Sequence, residues 1–308
     1  MHEPVLLKET VDSLAVKPGG VYVDGTLGRA GHAREILARA GKGARLVGID
    51  RDTQALTESA ERLGGMPGTS LALVHGCHGS IAQIVRAEGF DAVDGVLLDL
   101  GVSSPQLDEA SRGFSFRADG PLDMRMDQSC GETAADVVAT RDEAELAELI
   151  RTLGEERNAR RIAQAIVRAR ACARIDSTVQ LAALVEKTVG RHGAHHPATR
   201  TFQALRMAVN DELGELERAL AGGLDLLKPG GRMAVITFES LTDRIVKRFF
   251  ATHTGRMVSL QGGGEEWQGE RPRVRRVTRG AVTATPEEVA RNPRARSAKL
   301  RTIERTGE

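Results

Sequence analysis

Four short apolar runs alternate with helical spacing in the first hundred residues, and the next run of that strength comes about 130 residues later. Val21-Tyr22-Val23-Asp24, Arg45-Leu46-Val47-Gly48-Ile49-Asp50, Leu71-Ala72-Leu73-Val74 and Gly95-Val96-Leu97-Leu98-Asp99-Leu100 each read as a buried strand. Between them lie helical stretches: one running to Ala40, one ending at Gly64-Gly65, and one over 80–88. Short apolar strands separated by helices predict a parallel, doubly wound sheet. The fifth strand is Met233-Ala234-Val235-Ile236-Thr237-Phe238, launched by Pro229-Gly230-Gly231. A complete strand–helix–strand unit needs only about 30 residues, so roughly a hundred are surplus here. They predict an inserted subdomain.

The insert reads as helical. Asp142 can cap a helix that carries Leu146, Leu149, Ile150 and Leu153 on one face. Ile162, Ile166 and Ala169 continue the spacing in a second segment. Ser177 and Gln180 form a capping-box pattern before Leu181, Leu184 and Val185, and Gly190 is the stop. Residues 199–227 are expected to return as one amphipathic helix. The expected division is a domain made of 1–107 and 198–308, interrupted by an all-helical domain over 108–197.

Aromatics make up only 3% of the chain, so Leu, Val, Ile and Ala must build the core. No apolar run approaches the roughly 20 residues needed to span a bilayer. Met1-His2-Glu3-Pro4 has neither the basic start nor the apolar stretch of a signal peptide. Cys77, Cys130 and Cys172 are widely spaced and odd in number, which argues against a disulfide framework and for a reducing cytoplasm. Net charge is +1, but residues 271–306 hold eleven Lys/Arg against three Glu, a local +8 that leaves about −7 elsewhere. Such a tail suits a polyanionic partner, and a solvated basic tail gives the same count.

The turn Asp24-Gly25-Thr26-Leu27-Gly28-Arg29-Ala30-Gly31-His32 joins the first strand to its helix. Glycines allow close approach of backbone to a ligand, and a helix start offers unpaired N–H groups. Asp50 ends the second strand, placed to accept hydrogen bonds from ribose hydroxyls. Dehydrogenases share this pattern. The only tyrosine, however, is Tyr22 inside the first strand, so a Tyr/Lys reductase pair is absent. Asp99 ends the fourth strand, where the ligand crevice of an open sheet lies. A carboxylate there suits a sulfonium cation or an amino group.

Further along come Gly101-Val102-Ser103-Ser104-Pro105-Gln106-Leu107-Asp108, Arg112-Gly113-Phe114-Ser115-Phe116 and the run Asp119 to Asp127 (D-G-P-L-D-M-R-M-D). With His2 to Leu7 (H-E-P-V-L-L), Gly154-Glu155-Glu156-Arg157, His196 to Ala204 (H-P-A-T-R-T-F-Q-A) and Asn292 to Ser297 (N-P-R-A-R-S), this resembles the RsmH/MraW family of 16S ribosomal RNA cytosine-N4 methyltransferases. The matches run in family order over nearly the whole chain. The resemblance implies a Rossmann-like class I methyltransferase fold with an inserted helical domain for substrate recognition. It implies S-adenosylmethionine as cofactor, held by Ala30, Gly31, His32, Asp50, His78, Asp99 and Gln106. The implied substrate is a cytidine in the decoding region (P site) of 16S ribosomal RNA, within a small subunit or its precursor. A homodimer is left open. The chain departs from the family at three positions. Ala30 stands where Gly is usual, His78 where an aromatic is usual, and Glu239, in Thr237-Phe238-Glu239-Ser240-Leu241, where His is usual.

Cytosine's exocyclic amine is a poor nucleophile, so its transfer chemistry needs in-line positioning and an acceptor for the amine proton. Asp99 is one candidate acceptor, and a pure cofactor contact is its alternative reading. Asp123 is the second candidate, with Asp119 and Asp127 beside it, although Asp-Gly-Pro is also a turn signal. Phe114 and Phe116 could stack on a flipped base or anchor a loop. Arg294 and Arg296 in the tail, and Arg157, Arg160, Arg161, Arg168, Arg170 and Arg174 in the insert, could meet phosphates or face solvent. His195-His196 lacks other ligand-spaced partners, so no metal is expected. Two rival functions stand beside this one: a non-catalytic assembly factor that senses cofactor, and a methyltransferase acting on protein or another RNA.

Overall fold

The computed structural model describes residues 4–191, 196–259, 262–268 and 272–307, so His2, His195 and Arg271 lie outside the described residues. The chain divides into two compact units, Met1–Gly101 with Gly214–Glu308, and Val102–Leu213.

The first unit opens with α1 (Leu7–Leu14), β1 (Val21–Asp24), α2 (Gly31–Ala40), β2 (Arg45–Asp50), α3 (Thr53–Leu63), β3 (Ser70–His75), α4 (Ile81–Ala87) and β4 (Val93–Asp99). The second unit holds α5 (Ser104–Asp108), α6 (Ala134–Thr140), α7 (Glu143–Leu153), α8 (Ala159–Arg170), α9 (Thr178–Val189) and α10 (Thr199–Val209). The chain then re-enters the first unit through α11 (Glu212–Leu226), β5 (Leu227–Thr237) and α12 (Ser240–Thr254). It ends with β6 (Arg256–Ser259), β7 (Glu265–Gln268), β8 (Val274–Arg276), α13 (Pro286–Arg291) and β9 (Lys299–Arg305).

Among the described residues, seven strands form one sheet in the order β3-β2-β1-β4-β5-β9-β8, and β6 pairs separately with β7. The first five strands are parallel; β9 runs antiparallel to β5 and to β8. This is the doubly wound, mostly parallel sheet that the alternation predicts. Its strands are buried on both faces because successive side chains point to opposite sides. Val21, Val23, Val47, Ile49, Val96 and Leu98 pack with Ile81, Val85, Leu216, Leu220 and Val246. Tyr22, Leu46, Leu97 and Ala234 face the other way, onto Val11, Leu14, Ile36 and Leu37. Each buried Val, Leu or Ile among them contributes about 1.5–3 kcal/mol through burial.

Three expectations need correction here. The stretch 199–227 is two helices, not one: Asp211 sits at φ 46, and α10 falls in the second unit while α11 falls in the first. The fifth strand starts at Leu227, with the register slip opposite Val93/Gly95 absorbing Pro229-Gly230-Gly231. The basic tail is not a plain solvated run, because it supplies β8 and β9. Arg301 grips Asp243 at 2.8 Å, Arg275 grips Glu304 at 2.6 Å, and Arg305 donates to the carbonyls of Leu224 and Leu227.

The second unit is helical. Capping boxes start α6 (Thr133/Asp136), α7 (Asp142/Glu145) and α9 (Ser177/Gln180), and Gly190 ends α9 at φ 78. Its core joins Leu146, Ile150, Ile162, Ile166, Leu181 and Val185. The unit is wider than 108–197 at both ends. Phe202, Ala204 and Leu205 of α10 are part of that core, and the Asn210 side chain bonds Met124 O and Met126 N, both at 2.8 Å.

Candidate active site at the strand ends

The carboxyl ends of β1, β2 and β4 each carry an aspartate: Asp24, Asp50 and Asp99. Parallel register brings these ends together, and the turn after β1 threads between them. Gly25 N donates to Leu97 O at 2.9 Å, and Leu27 N to Ile49 O at 3.0 Å. A Cβ at Gly25 would come within 2.7 Å of the buried Leu98 side chain, so glycine lets the turn lie close to β4 without displacing it.

Asp50 is held by the backbone. Gly28 N donates to its Oδ2 at 2.8 Å and Asp52 N to its Oδ1 at 2.9 Å. Burial nevertheless raises its pKa, outweighing those bonds. Each oxygen keeps a second lone pair for a further donor. Thr26 links the other two strand ends: its N–H donates to Asp24 Oδ1 at 3.1 Å, and its hydroxyl accepts from Asp99 N at 2.6 Å.

Asp24 is 2% exposed, and burial pushes it up to about 7, helped by the charge of Asp50 and opposed by its bonds to Thr26. Burial, then the charge of Asp24, pushes Asp99 up to about 8. Asp99 keeps 27% of its side chain exposed, yet its Oδ1 is buried and has no hydrogen-bond partner. Neither Asp24 nor Asp99 has a Lys or Arg ion-pair partner among the described residues. The charge of Asp24 disfavours ionisation of Asp99, so the two do not titrate independently.

His32, in the first turn of α2, is buried. Its Nε2 lies 3.0 Å from Val5 O, and its Nδ1 lies 3.6 Å from Asp99 Oδ2. A carbonyl can only accept, so Nε2 carries the hydrogen and Nδ1 presents a lone pair to Asp99. Burial lowers the ring to about 4, so it is neutral at pH 7. Ala30 takes the left-handed conformation (φ 56), which costs a non-glycine residue about 1–2 kcal/mol. Gly31 is packed under Pro4, where a Cβ would come within 2.2 Å of the proline ring.

His78 begins the short turn after β3. Its Nε2 is buried without a hydrogen-bond partner, and burial followed by the charge of Arg51 lowers it to about 4. Glu215 of α11 braces this corner, accepting from Gly79 N at 2.8 Å. Glu239 caps α12 through its backbone, accepting from Asp243 N at 3.1 Å.

The structure therefore gathers Ala30, Gly31, His32, Asp50, His78 and Asp99 in the first unit, at the end of the sheet where ligands of open sheets bind. It adds Asp24 and Thr26, which the motif contains but which the sequence does not single out. The signal available was the repetition of a strand-ending Asp three times.

Gln106 belongs to the second unit, where its Oε1 accepts from Ser103 N at 3.0 Å in a capping box. Asp123 is committed to Arg125: although burial works to raise it, bonds of 2.8 and 2.9 Å hold it below its usual range. Asp119 accepts from Ser177 Oγ, and Asp127 from Ser129 N. These three are turn pieces. Phe114 is buried in the core of the unit with Arg112 over its ring at 5.9 Å, so the stacking role is corrected for this residue. Phe116 is half-buried, edge-on to Phe202 at 4.8 Å and beside His196 at 4.6 Å. Of the insert's arginines, Arg161, Arg170 and Arg174 tie the unit together through Thr188 O, Val138 O and Asp136. Arg157, Arg160 and Arg168 are exposed. Arg294 and Arg296 are exposed in the first unit, on either side of buried Ala295. Among the described residues, no three His, Cys, Asp or Glu are grouped to hold a metal, and no helix is long and apolar enough to cross a membrane.

A family model described as the MraW methylase family matches residues 1–306. A relative from Methylobacterium nodulans, "Ribosomal RNA small subunit methyltransferase H", is 52% identical over 99% of this chain and 90% of its own length. Relatives of the same name from Trichlorobacter lovleyi and Methylobacterium sp. are 48% and 53% identical, each over 99% of this chain and over 98% and 91% of their own lengths.

Proposed function

This chain belongs to the MraW methylase family, and from that premise we propose that it transfers a methyl group from S-adenosylmethionine to the N4 amine of a cytidine in the P-site decoding region of 16S ribosomal RNA. The reaction takes place in the cytoplasm, on the small ribosomal subunit or its precursor. The name shared by the curated relatives supports the substrate class.

The observation that carries the reading is the uncompensated carboxylate pair Asp24 and Asp99 beside the glycine-containing turn. Strongly shifted groups gathered at the ligand end of an open sheet mark a functional site. The residues present also fit the donor. When bound, S-adenosylmethionine supplies a methyl group made electrophilic by a positively charged sulfur. Three strand-end carboxylates with no Lys or Arg on Asp24 or Asp99 favour a cation there. Asp50, already oriented by two backbone N–H groups, accepts the ribose hydroxyls. The turn through Ala30 and Gly31 would border the amino-acid part of the bound cofactor, and the neutral ring of His78 would hold the adenine.

The amine nitrogen of cytosine forms one bond to carbon and must shed one proton. Asp99 is the acceptor we assign; once ionised it takes that proton, and before that it orients the amine. Positioning of this kind supplies on the order of 7–11 kcal/mol in favourable cases. The second unit is the substrate-recognition domain, with Arg157, Arg160 and Arg168 on phosphates. Arg294 and Arg296 add phosphate contacts from the first unit.

Mass spectrometry of 16S ribosomal RNA from a deletion strain tests the reading. The N4 methyl on one decoding-region cytidine should vanish and return with the wild-type chain but not with Asp99→Asn. An unchanged modification pattern in the deletion strain would overturn it.

A further inference from the structure

We propose that Glu288 is a positioning residue for methyl transfer: it clamps the segment Pro4–Leu6, and that segment fixes the His32 ring against Asp99. The proposal rests on the reading above, in which Asp99 accepts the amine proton.

The path is continuous and lies within the first unit. Glu288 Oε1 accepts from Leu6 N at 2.7 Å. The next carbonyl back, Val5 O, accepts from His32 Nε2 at 3.0 Å. The other ring nitrogen, Nδ1, stands 3.6 Å from Asp99 Oδ2. Pro4 closes the contact by packing on Gly31, one residue before His32, at a distance that leaves no room for a Cβ.

The segment is strained where Glu288 holds it. Leu6 is fully buried and left-handed, at φ 52 and ψ 35. A branched side chain does not rest there unless its surroundings over-determine it. Glu288 itself is well anchored. Thr285 caps α13 through Glu288 N, and the next turn buries Ala295 and Ala298 in the same core as Val5 and Leu6.

The chemical consequence runs through the tautomer. While Val5 O holds the hydrogen on Nε2, His32 offers Asp99 only a lone pair. Asp24 faces Asp99 from β1, and β5 sets Ile236 opposite it, so nothing on those sides donates a charge-balancing hydrogen bond. Asp99 therefore holds a proton tightly and is a strong base once ionised. If the segment relaxes, the His32 hydrogen can move to Nδ1 and donate to Asp99. That hydrogen bond favours the carboxylate and weakens it as a base.

Nitrogen-15 spectra of the wild-type protein, with calorimetry using S-adenosylhomocysteine as probe, test this. His32 should carry its hydrogen on Nε2 at neutral pH. Glu288→Ala should weaken S-adenosylhomocysteine binding roughly tenfold, because the Pro4–Leu6 segment packed on Gly31 must then be ordered on binding. It should also move hydrogen onto Nδ1 and shift the midpoint of the kcat/KM profile to lower pH. Glu288→Gln keeps an acceptor oxygen and should restore all three. A wild-type His32 protonated on Nδ1 would overturn the proposal without need of any variant. So would a folded Glu288→Ala with unchanged affinity and pH midpoint. Wild-type protein that bound no S-adenosylhomocysteine would instead sink the cofactor reading itself, which separates the two failures.

Discussion

The strand-end aspartates Asp24 and Asp99 of the first unit and the paired aspartates of the second are treated in opposite ways. In the second unit Asp123 lies against Arg125, Asp136 against Thr133 and Arg174, and Asp119 against Ser177, and all three are held below the usual carboxylate range. In the first unit Asp24 and Asp99 are buried near each other without a cation and are pushed up to about 7 and 8. A carboxylate with a donor at every lone pair is a finished piece of structure. A buried pair lacking a counter-charge costs stability, and a fold keeps such a pair where a ligand or a reaction completes it. The contrast separates candidates of the same residue type that the sequence leaves side by side.

The sharpest way to break this contrast is to neutralise one member of each class. Asp99→Asn should lower kcat for methyl transfer by about 10²–10⁴-fold, the usual range for loss of an acid–base group. Asp123→Asn should leave kcat within a small factor and lower the melting temperature, because it removes the counter-charge of Arg125. Single-turnover methylation of small subunits measures the first, and thermal unfolding the second. Comparable losses of kcat in both variants would erase the distinction. The pH dependence of stability gives the same contrast without substrate. Asp99 has a folded-state pKa raised to about 8, so its stabilising contribution is complete below about pH 4 and is lost as pH rises to 8. Asp99→Asn should flatten that slope, with a melting temperature at pH 8 higher than wild type by about 5 °C.

Asp50 sits between the two classes, since it is bonded by backbone N–H groups yet still raised. If its remaining lone pairs hold ribose hydroxyls, Asp50→Ala removes a charged acceptor worth about 1.5–3 kcal/mol. Calorimetry should then show at least a tenfold loss of cofactor affinity, with the RNA-binding affinity unchanged. A folded variant with wild-type affinity would reassign Asp50 to bracing the turn.

Most of the sheet was legible because a buried strand writes its period directly into a short run of apolar residues. The limits of β1 and β2, the inserted helices, and the caps at Asp142 and Ser177 all follow from local pattern. What escaped is non-local. The apolar spacing of 199–226 runs straight through Asn210 and Asp211, so nothing local marks the point where the chain changes units. β8 and β9 hide in a run of arginines, because a charge count does not say which guanidinium is spent on Asp243, Glu304 or a carbonyl. At the site, strand-end position marked Asp50 and Asp99. The neighbouring charge of Asp24 and the Val5–His32 contact arise only when separate segments meet.

Arg294 and Arg296 extend the comparison to the surface, where neighbouring arginines serve opposite ends. Arg301 and Arg305 are internal ties, whereas this pair is exposed around buried Ala295. Replacing both with Gln should reduce the slope of log affinity against log salt by about 1.4–1.8, since each phosphate contact contributes 0.7 to 0.9. Cofactor affinity should not change. Filter binding of a decoding-region RNA across salt concentrations measures the slope, and an unaltered slope would place these side chains away from phosphate.

The smallest expected effect is the most specific about which atom is methylated. Methylation at C5 of cytosine needs a thiolate to attack C6 first, because the ring carbon is too weak a nucleophile, and that thiol must stand among the strand-end groups. Cys130 and Cys172 are exposed residues of the second unit. Cys77 is in the first unit, half-buried after β3, one residue before His78 on the side assigned to adenine. None directly follows β4 or β5, and the carboxylate pair lies at the ends of β1 and β4. Transfer to N4 needs a proton acceptor, the role proposed for Asp99, and no covalent nucleophile. A variant with all three cysteines changed to Ser should therefore keep methyl transfer within about twofold of wild type, and its product should co-elute with N4-methylcytidine. The twofold margin corresponds to about 0.4 kcal/mol, well under what loss of a covalent nucleophile costs. Abolished activity in a folded, cofactor-binding variant, or a 5-methylcytidine product, would transfer the chemistry from the carboxylate to a thiol.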